Sequence, residues 1–299
     1  MRHWKIDTVL QLLKEAGGIA LAASADPGIE LKSDQTVVTR ADRAIEQMFA
    51  DRFDRPSEGC FMIGEESVAT KPESYLNDAF RSLCYVIDPI DGTAPYSAHV
   101  PLWGVSIGRM ENGALTEGAI YMPVDDEALF TCRGELFSAR ALQSGAPVVE
   151  PFQPRRMALT PAGHICIPQQ GAKRWRFDLP NQVFAWSTCV GCYYALLKGR
   201  ILAYILSCKL WDLAGGLPIA RAAGFVNRFA DGRELDLAIT ASGNFHLEPG
   251  PMRWRLKAPV VAAPDRETAE YVWRHIQQEW TISWNRAEKN IPPHRRHSF

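Results

Sequence analysis

A mixed α/β fold is what this sequence predicts, on three observations. Apolar residues make up 46% of the 299 and charged residues 22%, the balance of a chain that buries a large core without needing crosslinks. Apolar runs of strand length are interspersed with longer stretches whose apolar residues recur at helical spacing. Turn signals built on glycine and asparagine separate several of these runs. Composition and periodicity carry the assignment this far and no further.

The first element is a helix, because Ile6, Val9, Leu10 and Leu13 share one face. Ala23-Ser24-Ala25 has the form of a signal-peptidase site, but Lys14 and Glu15 break the apolar stretch before it, so an amphipathic helix belonging to the fold is expected. Residues 32–39 are polar. Thr39 with Asp42 then predicts a capped helix start, with Ile45, Met48, Phe49 and Phe53 on its apolar side. Residues 60–64 and 83–87 read as buried strands, each delivering acids at its end. Strand-like runs at 103–110 and 114–121 flank Glu111-Asn112-Gly113, which predicts a hairpin, and 128–132 is a further strand turning at Arg133-Gly134-Glu135.

Proline and small residues over 144–154 predict a boundary near residue 152, dividing the chain into halves 1–152 and 153–299. In the second half, helices are expected at 187–198, from Trp211-Asp212 to just before Gly224, and at 267–278, with strands at 201–206 and 259–263. Residues 288–299 read as a loose basic tail.

Function classes narrow on charge and cysteine. The formal net charge of -1 provides no field to attract nucleic acid or an anionic membrane, so neither is an expected partner, and a small anionic substrate would need local positive charge. No apolar run approaches the roughly 20 residues that cross a bilayer. Seven cysteines, an odd number, suggest reduced thiols in a cytoplasmic protein. Cys189 and Cys192 form C-x-x-C, a redox or metal spacing, but 186–197 reads as a buried helix on which cysteine is a small apolar residue.

The chemistry concentrates in Asp88-Pro89-Ile90-Asp91-Gly92-Thr93, where two carboxylates follow a buried strand. Magnesium prefers a few protein oxygens and leaves positions for water and phosphate, which clustered acids suit. A helix starting after Gly92 would add free N–H groups and partial positive charge for a phosphate. An Asx turn is the alternative for this segment alone. Gly64-Glu65-Glu66-Ser67 adds two acids after another strand, or forms a solvated turn. Asp212 in Trp211-Asp212-Leu213-Ala214-Gly215 is an acid at a helix start, or an N-cap.

Taken together, these segments resemble the inositol monophosphatase family, whose G-E-E, D-P-I-D-G-T and W-D-x-A-G motifs occur in this order. Val38-Thr39-Arg40-Ala41-Asp42 looks like its V-T-x-x-D segment, and Trp103-Gly104-Val105-Ser106-Ile107-Gly108 follows the central motif. The resemblance runs from about Lys32 to Gly224. It implies a sugar-phosphatase-like layered αβαβα sandwich, with an α+β first half, an α/β second half and a metal cleft where they meet. It also implies Mg2+-dependent, lithium-sensitive hydrolysis of a small phosphorylated substrate, and often a homodimer.

By the same resemblance, Glu65, Asp88 and the Ile90 carbonyl would hold one metal, and Asp88, Asp91 and Asp212 a second. Thr93 and Asp42 would orient and help deprotonate the attacking water, with Glu65 part of the catalytic set. Gly92 and Thr93 N–H groups would bind phosphate oxygens, and Glu66 would stand behind the ligands. Ser187 (with Thr188) and Lys209 align with the substrate side, Lys209 either contacting a second anionic group or solvated.

The chain departs from the family at Ala94-Pro95-Tyr96, where polar residues are usual, and at Ile205, where inositol-specific relatives carry a glutamate. His99 is either a substrate contact or a packing residue. Inositol phosphate leads as substrate, with histidinol phosphate, a 3′-phosphonucleotide or a sugar phosphate as rivals. A catalytically silent metal-binding paralogue is the alternative of another class. No G-x-S-x-G elbow supports a serine hydrolase.

Overall fold

The structure, a computed structural model, describes residues 4–32 and 36–277. The predicted basic tail lies outside these residues, as does Gln278 at the end of the last predicted helix.

The first half runs α1 (Ile6–Ala23), β1 (Glu30–Leu31), β2 (Val37–Val38), α2 (Arg40–Phe53), β3 (Cys60–Gly64), α3 (Glu73–Phe80), β4 (Leu83–Asp91) and α4 (Thr93–Ser97). It continues through β5 (Gly104–Glu111), β6 (Ala114–Met122), β7 (Glu127–Cys132), β8 (Glu135–Arg140) and β9 (Val148–Pro151). The strands from β3 to β9 form one seven-stranded sheet in chain order, parallel at β3–β4 and antiparallel elsewhere. The predicted hairpin is β5–β6, with Asn112 and Gly113 both at positive φ. Thr39 caps α2 as expected: its hydroxyl accepts from the Asp42 amide at 3.3 Å, and its own amide donates to Asp42 Oδ2 at 2.8 Å.

The second half runs β10 (Ile165–Cys166), α5 (Gln169–Arg174), β11 (Arg176–Phe177), β12 (Val183–Phe184), α6 (Cys189–Leu197), β13 (Ala203–Leu206), α7 (Leu210–Ala214), α8 (Gly216–Ala222), β14 (Val226–Arg228), β15 (Val260–Ala263), α9 (Arg266–Arg274) and β16 (Ile276–Gln277). A second sheet has the order β12-β10-β13-β15-β14.

Strand alternation shows how the layers stack. In β4, Tyr85 and Ile87 face a core made with α1 and α2, whereas Cys84 and Val86 face a core made with α6, α7 and α8. That second core also takes Tyr204 and Leu206 from β13, while Ala203 and Ile205 turn to a third core under α9. Helices, sheet, helices, sheet and helix therefore succeed one another, the αβαβα sandwich that the resemblance implied. The chain crosses from the first sheet to the second between Pro151 and Ile165, and the middle apolar layer draws on both.

Two predicted helices are corrected. The one from Trp211 is two helices, because Pro218 has no N–H for the Ala214 carbonyl and the Ser106 hydroxyl enters the ladder just before it. Ser106 Oγ donates to the Trp211 carbonyl at 2.9 Å and accepts from the Gly215 amide at 3.1 Å, bridging a bond the helix would otherwise close itself. The one over 267–278 stops at Arg274, and Ile276–Gln277 pairs as a strand with Arg176–Phe177. Cys189 and Cys192 are buried in α6 with free thiols, as the apolar reading of that stretch expects.

Candidate active site

Three chain segments bring acids to the edge of the first sheet beside α7. Glu65 follows β3, where an added Cβ at Gly64 would lie 2.5 Å from Glu46 Oε1. That close approach lets the Glu46 carboxylate accept from the Glu66 amide at 2.8 Å and the Ser67 amide at 2.7 Å, fixing the turn that carries Glu65.

Asp88 and Asp91 end β4. Residues three apart on a regular strand face opposite ways, but the pairing with β5 shifts register between Asp88 and Asp91, at Pro89 and Ile90. Both carboxylates thereby turn toward α6 and α7, while Ile90 goes to the core on the other face. Gly92, at φ 92°, makes the turn into α4, and a Cβ there would meet the Leu102 carbonyl at 2.9 Å. Pro95 sits in the first turn of α4, where its missing N–H leaves no bond unmade.

Asp212 is in the first turn of α7 and accepts from the Lys209 amide at 2.8 Å. Glu65, Asp88 and Asp212 each offer an oxygen within 4.8 Å of the others. Asp91 stands outside that trio: its Oδ2 accepts from the Thr188 hydroxyl at 2.5 Å and the Val190 amide at 2.6 Å, at the start of α6. Asp42, with no exposed surface, accepts from the Thr39 hydroxyl at 2.5 Å, and the Thr93 hydroxyl lies 3.3 Å from Asp42 Oδ1 and 3.0 Å from the Ile90 carbonyl.

The site is short of positive charge. Burial, then the neighbouring acids, hold the Asp88 carboxyl well above the usual carboxylate range. Burial and Asp212 push Asp91 to about 7, and burial and Glu65 push Asp212 to about 6. Asp88 Oδ1 is buried with no hydrogen-bond partner among the described residues. Crowded carboxylates with an orphaned oxygen fit a hard divalent cation, which binds oxygen ligands and relieves their repulsion.

Two lysines supply part of that charge: Lys32 and Lys209 both reach Glu65 Oε1 at 3.4 Å, and Lys32 also holds Glu66 at 2.6 Å. Burial, then Glu65, raises the Glu66 carboxyl to about 7.

Lys32, Glu46 and Ser106 are the residues whose part sequence reasoning did not assign, and Thr188, aligned with the substrate side, is found holding Asp91 instead. Glu46 had a signal, standing one turn after Asp42 on α2, and Thr188 had one as a threonine ahead of an apolar helix. Ser187, at φ 58°, is half-buried beside Thr188; His99 is exposed. Ile205 is fully buried in the core under α9.

The profile of the inositol monophosphatase family matches residues 5–280. Inositol monophosphatase 1 of Bos taurus is 32% identical over 291 residues, covering 91% of this chain and 94% of its own. The histidinol-phosphatase of Chlorobaculum parvum is 28% identical over 240 residues, covering 73% and 83%. Among solved structures, an IMPase/NADP phosphatase complexed with Mg2+ and phosphate superposes with a TM-score of 0.61 at 17% identity, covering 89% of this chain and 92% of that one. With the profile spanning nearly the whole sequence, the chain belongs to the inositol monophosphatase family and is a phosphomonoester hydrolase.

Proposed function

We propose that the protein hydrolyses a small phosphomonoester with magnesium as cofactor and water as nucleophile. The observation that carries this reading is the convergence of Glu65, Asp88 and Asp212 within 4.8 Å, with Asp88 Oδ1 unpartnered among the described residues. In this reading Glu65, Asp88 and the Ile90 carbonyl hold one ion, and Asp88, Asp91 and Asp212 a second. Bound magnesium supplies charge that offsets the phosphate oxygens and eases deprotonation of a water.

The chain's own groups do the rest. The Thr93 hydroxyl donates a hydrogen bond to Asp42, so that Thr93 Oγ1 can accept a proton from the attacking water as its own passes to Asp42, and aim that water at phosphorus. Amides of Gly92 and Thr93, with no helical partner at the start of α4, bind phosphate oxygens. Ser187 and Lys209 line the leaving-group side, and Glu66 with Lys32 steadies Glu65.

Inositol phosphate leads as substrate, with histidinol phosphate, a 3′-phosphonucleotide or a sugar phosphate as rivals. Ile205 offers no acceptor for ring hydroxyls, which favours the rivals more than the family name suggests. Lithium inhibition and a homodimer are inferred from family membership, and a cytoplasmic setting from the odd number of cysteines.

The test is magnesium-dependent phosphate release from these four classes, beside Asp91→Asn. Release from one class that the variant loses by about a hundredfold or more supports the reading. Magnesium binding in calorimetry without release from any class supports the silent paralogue instead.

A further inference from the structure

A ribbon from the loop between β14 and β15 folds against the start of α7. The His246 amide donates to the Arg255 carbonyl at 2.9 Å and the Trp254 amide to the His246 carbonyl at 2.6 Å. Trp254 is buried at φ 75°, a left-handed conformation that a bulky residue adopts only when its surroundings impose it. Its ring packs on Trp211 at 6.1 Å and Phe80 at 6.0 Å.

This strained corner sets the next residue, Arg255, opposite Lys209 in an antiparallel bridge. The bond from the Leu256 amide to the Cys208 carbonyl, at 3.0 Å, flanks the pair, so it is of the type without direct hydrogen bonds. In that type the two side chains leave on the same side from Cα atoms about 4.5 Å apart. Like charges placed so are unfavourable unless an anion lies between them.

Lys209 has such an anion only in part, since Glu65 Oε1 is shared with Lys32 and belongs to the acidic trio. Its ammonium also lies 5.0 Å from the Trp211 ring centroid, which holds it at the site. Arg253, two residues before Arg255, is paired with Glu73 at 2.9 Å. Arg255 is half-buried and its guanidinium has no hydrogen bond or ion pair among the described residues.

We propose that Arg255 and Lys209 form a subsite for a second anionic group on the leaving group, so that the preferred substrate is a phosphomonoester that also carries a phosphate or carboxylate. The proposal rests on the phosphatase reading above and adds the substrate class. Guanidinium is suited to the task because it meets either anion through two parallel N–H donors. Lys209 contributes a point charge from the other side.

Steady-state kinetics of the full chain with magnesium tests this on two matched pairs: glycerol 3-phosphate against 3-phosphoglycerate, and adenosine 3′-monophosphate against adenosine 3′,5′-bisphosphate. The doubly anionic member of at least one pair is expected to win by about tenfold or more in kcat/KM, chiefly through KM, as a charge-assisted hydrogen bond would give. The pair that shows the preference tells carboxylate from phosphate. Arg255→Gln is expected to bring that ratio toward one, and Arg255→Lys to keep part of it; should the Gln variant not fold, the wild-type ratio decides.

Wild-type ratios near one in both pairs, or a preference that a folded Arg255→Gln leaves intact, overturn the subsite while leaving the phosphatase reading standing. No phosphate release from any of the four overturns the subsite, and none from inositol phosphate or histidinol phosphate as well overturns both.

Discussion

Asp42 is buried and accepts hydrogen bonds from Thr39, yet burial outweighs them and pushes its carboxyl to about 6. A group with that value, next to the Thr93 hydroxyl, can hold and return a proton near neutrality. Asp42→Asn is expected to lower kcat by about 10²- to 10⁴-fold with little change in KM, because asparagine cannot take the proton from Thr93. Thr93→Ala should lose a similar amount, and the double variant little more, since the two act as a unit. The acid limb of the kcat profile is expected at or below about pH 6, the value that burial gives the Asp42 carboxylate, because bound magnesium would favour its charged form. Steady-state kinetics across pH checks all of these. At this scale the sequence was informative about Asp42, Thr93 and the acids, because each sits in a short local motif. It was silent on Lys32 and ambiguous on Lys209, since a lysine's reach of several bonds lets its charge settle far from its place in the chain.

Elements decide where those side chains go. The register shift between Asp88 and Asp91 turns both acids to one side, and α7 presents Asp212 to them. Ser106 of β5 fastens α7 to the sheet by bridging the Trp211 carbonyl and the Gly215 amide. Ser106→Ala leaves both groups without that partner in a buried position, and is expected to destabilise the fold by about 1–3 kcal/mol in urea unfolding. It should also weaken magnesium binding in calorimetry, since Asp212 loses its fixed support. Element positions were legible in the sequence wherever periodicity was strong, as in α1, α2 and the β5–β6 hairpin. They were not where a tertiary contact overrode it: an inserted hydroxyl and Pro218 divide the helix after Trp211, and pairing with Arg176–Phe177 claims residues that helical spacing assigned to α9.

Across the whole molecule, the acid cluster links folding to pH and metal. Asp91 and Glu66 at about 7, and Asp42 and Asp212 at about 6, all lie above ordinary carboxylate values because of burial first. Below about pH 3 folded and unfolded chains are both protonated there, and the groups have no differential effect. As pH rises toward 7 the unfolded chain releases these protons while the folded chain retains them, so stability falls, and the loss is complete only above the raised values. Metal-free protein is therefore expected to show a Tm that declines from pH 5 to pH 8, and magnesium to restore it most at pH 8, where the carboxylates need a counter-charge. A pH-independent Tm in chelator, by scanning calorimetry, would contradict the crowding of these acids. The sequence by itself determined the strands and helices that carry the acids, the family, and the carboxylate chemistry, because these depend on neighbours within a few positions. Only the tertiary structure decided that Glu65, Asp88 and Asp212 meet, that Ile205 faces the core, and that Arg255 stands opposite Lys209. Those pairings join residues from distant parts of the chain, and packing of the sheets and helices, not local pattern, brings them together.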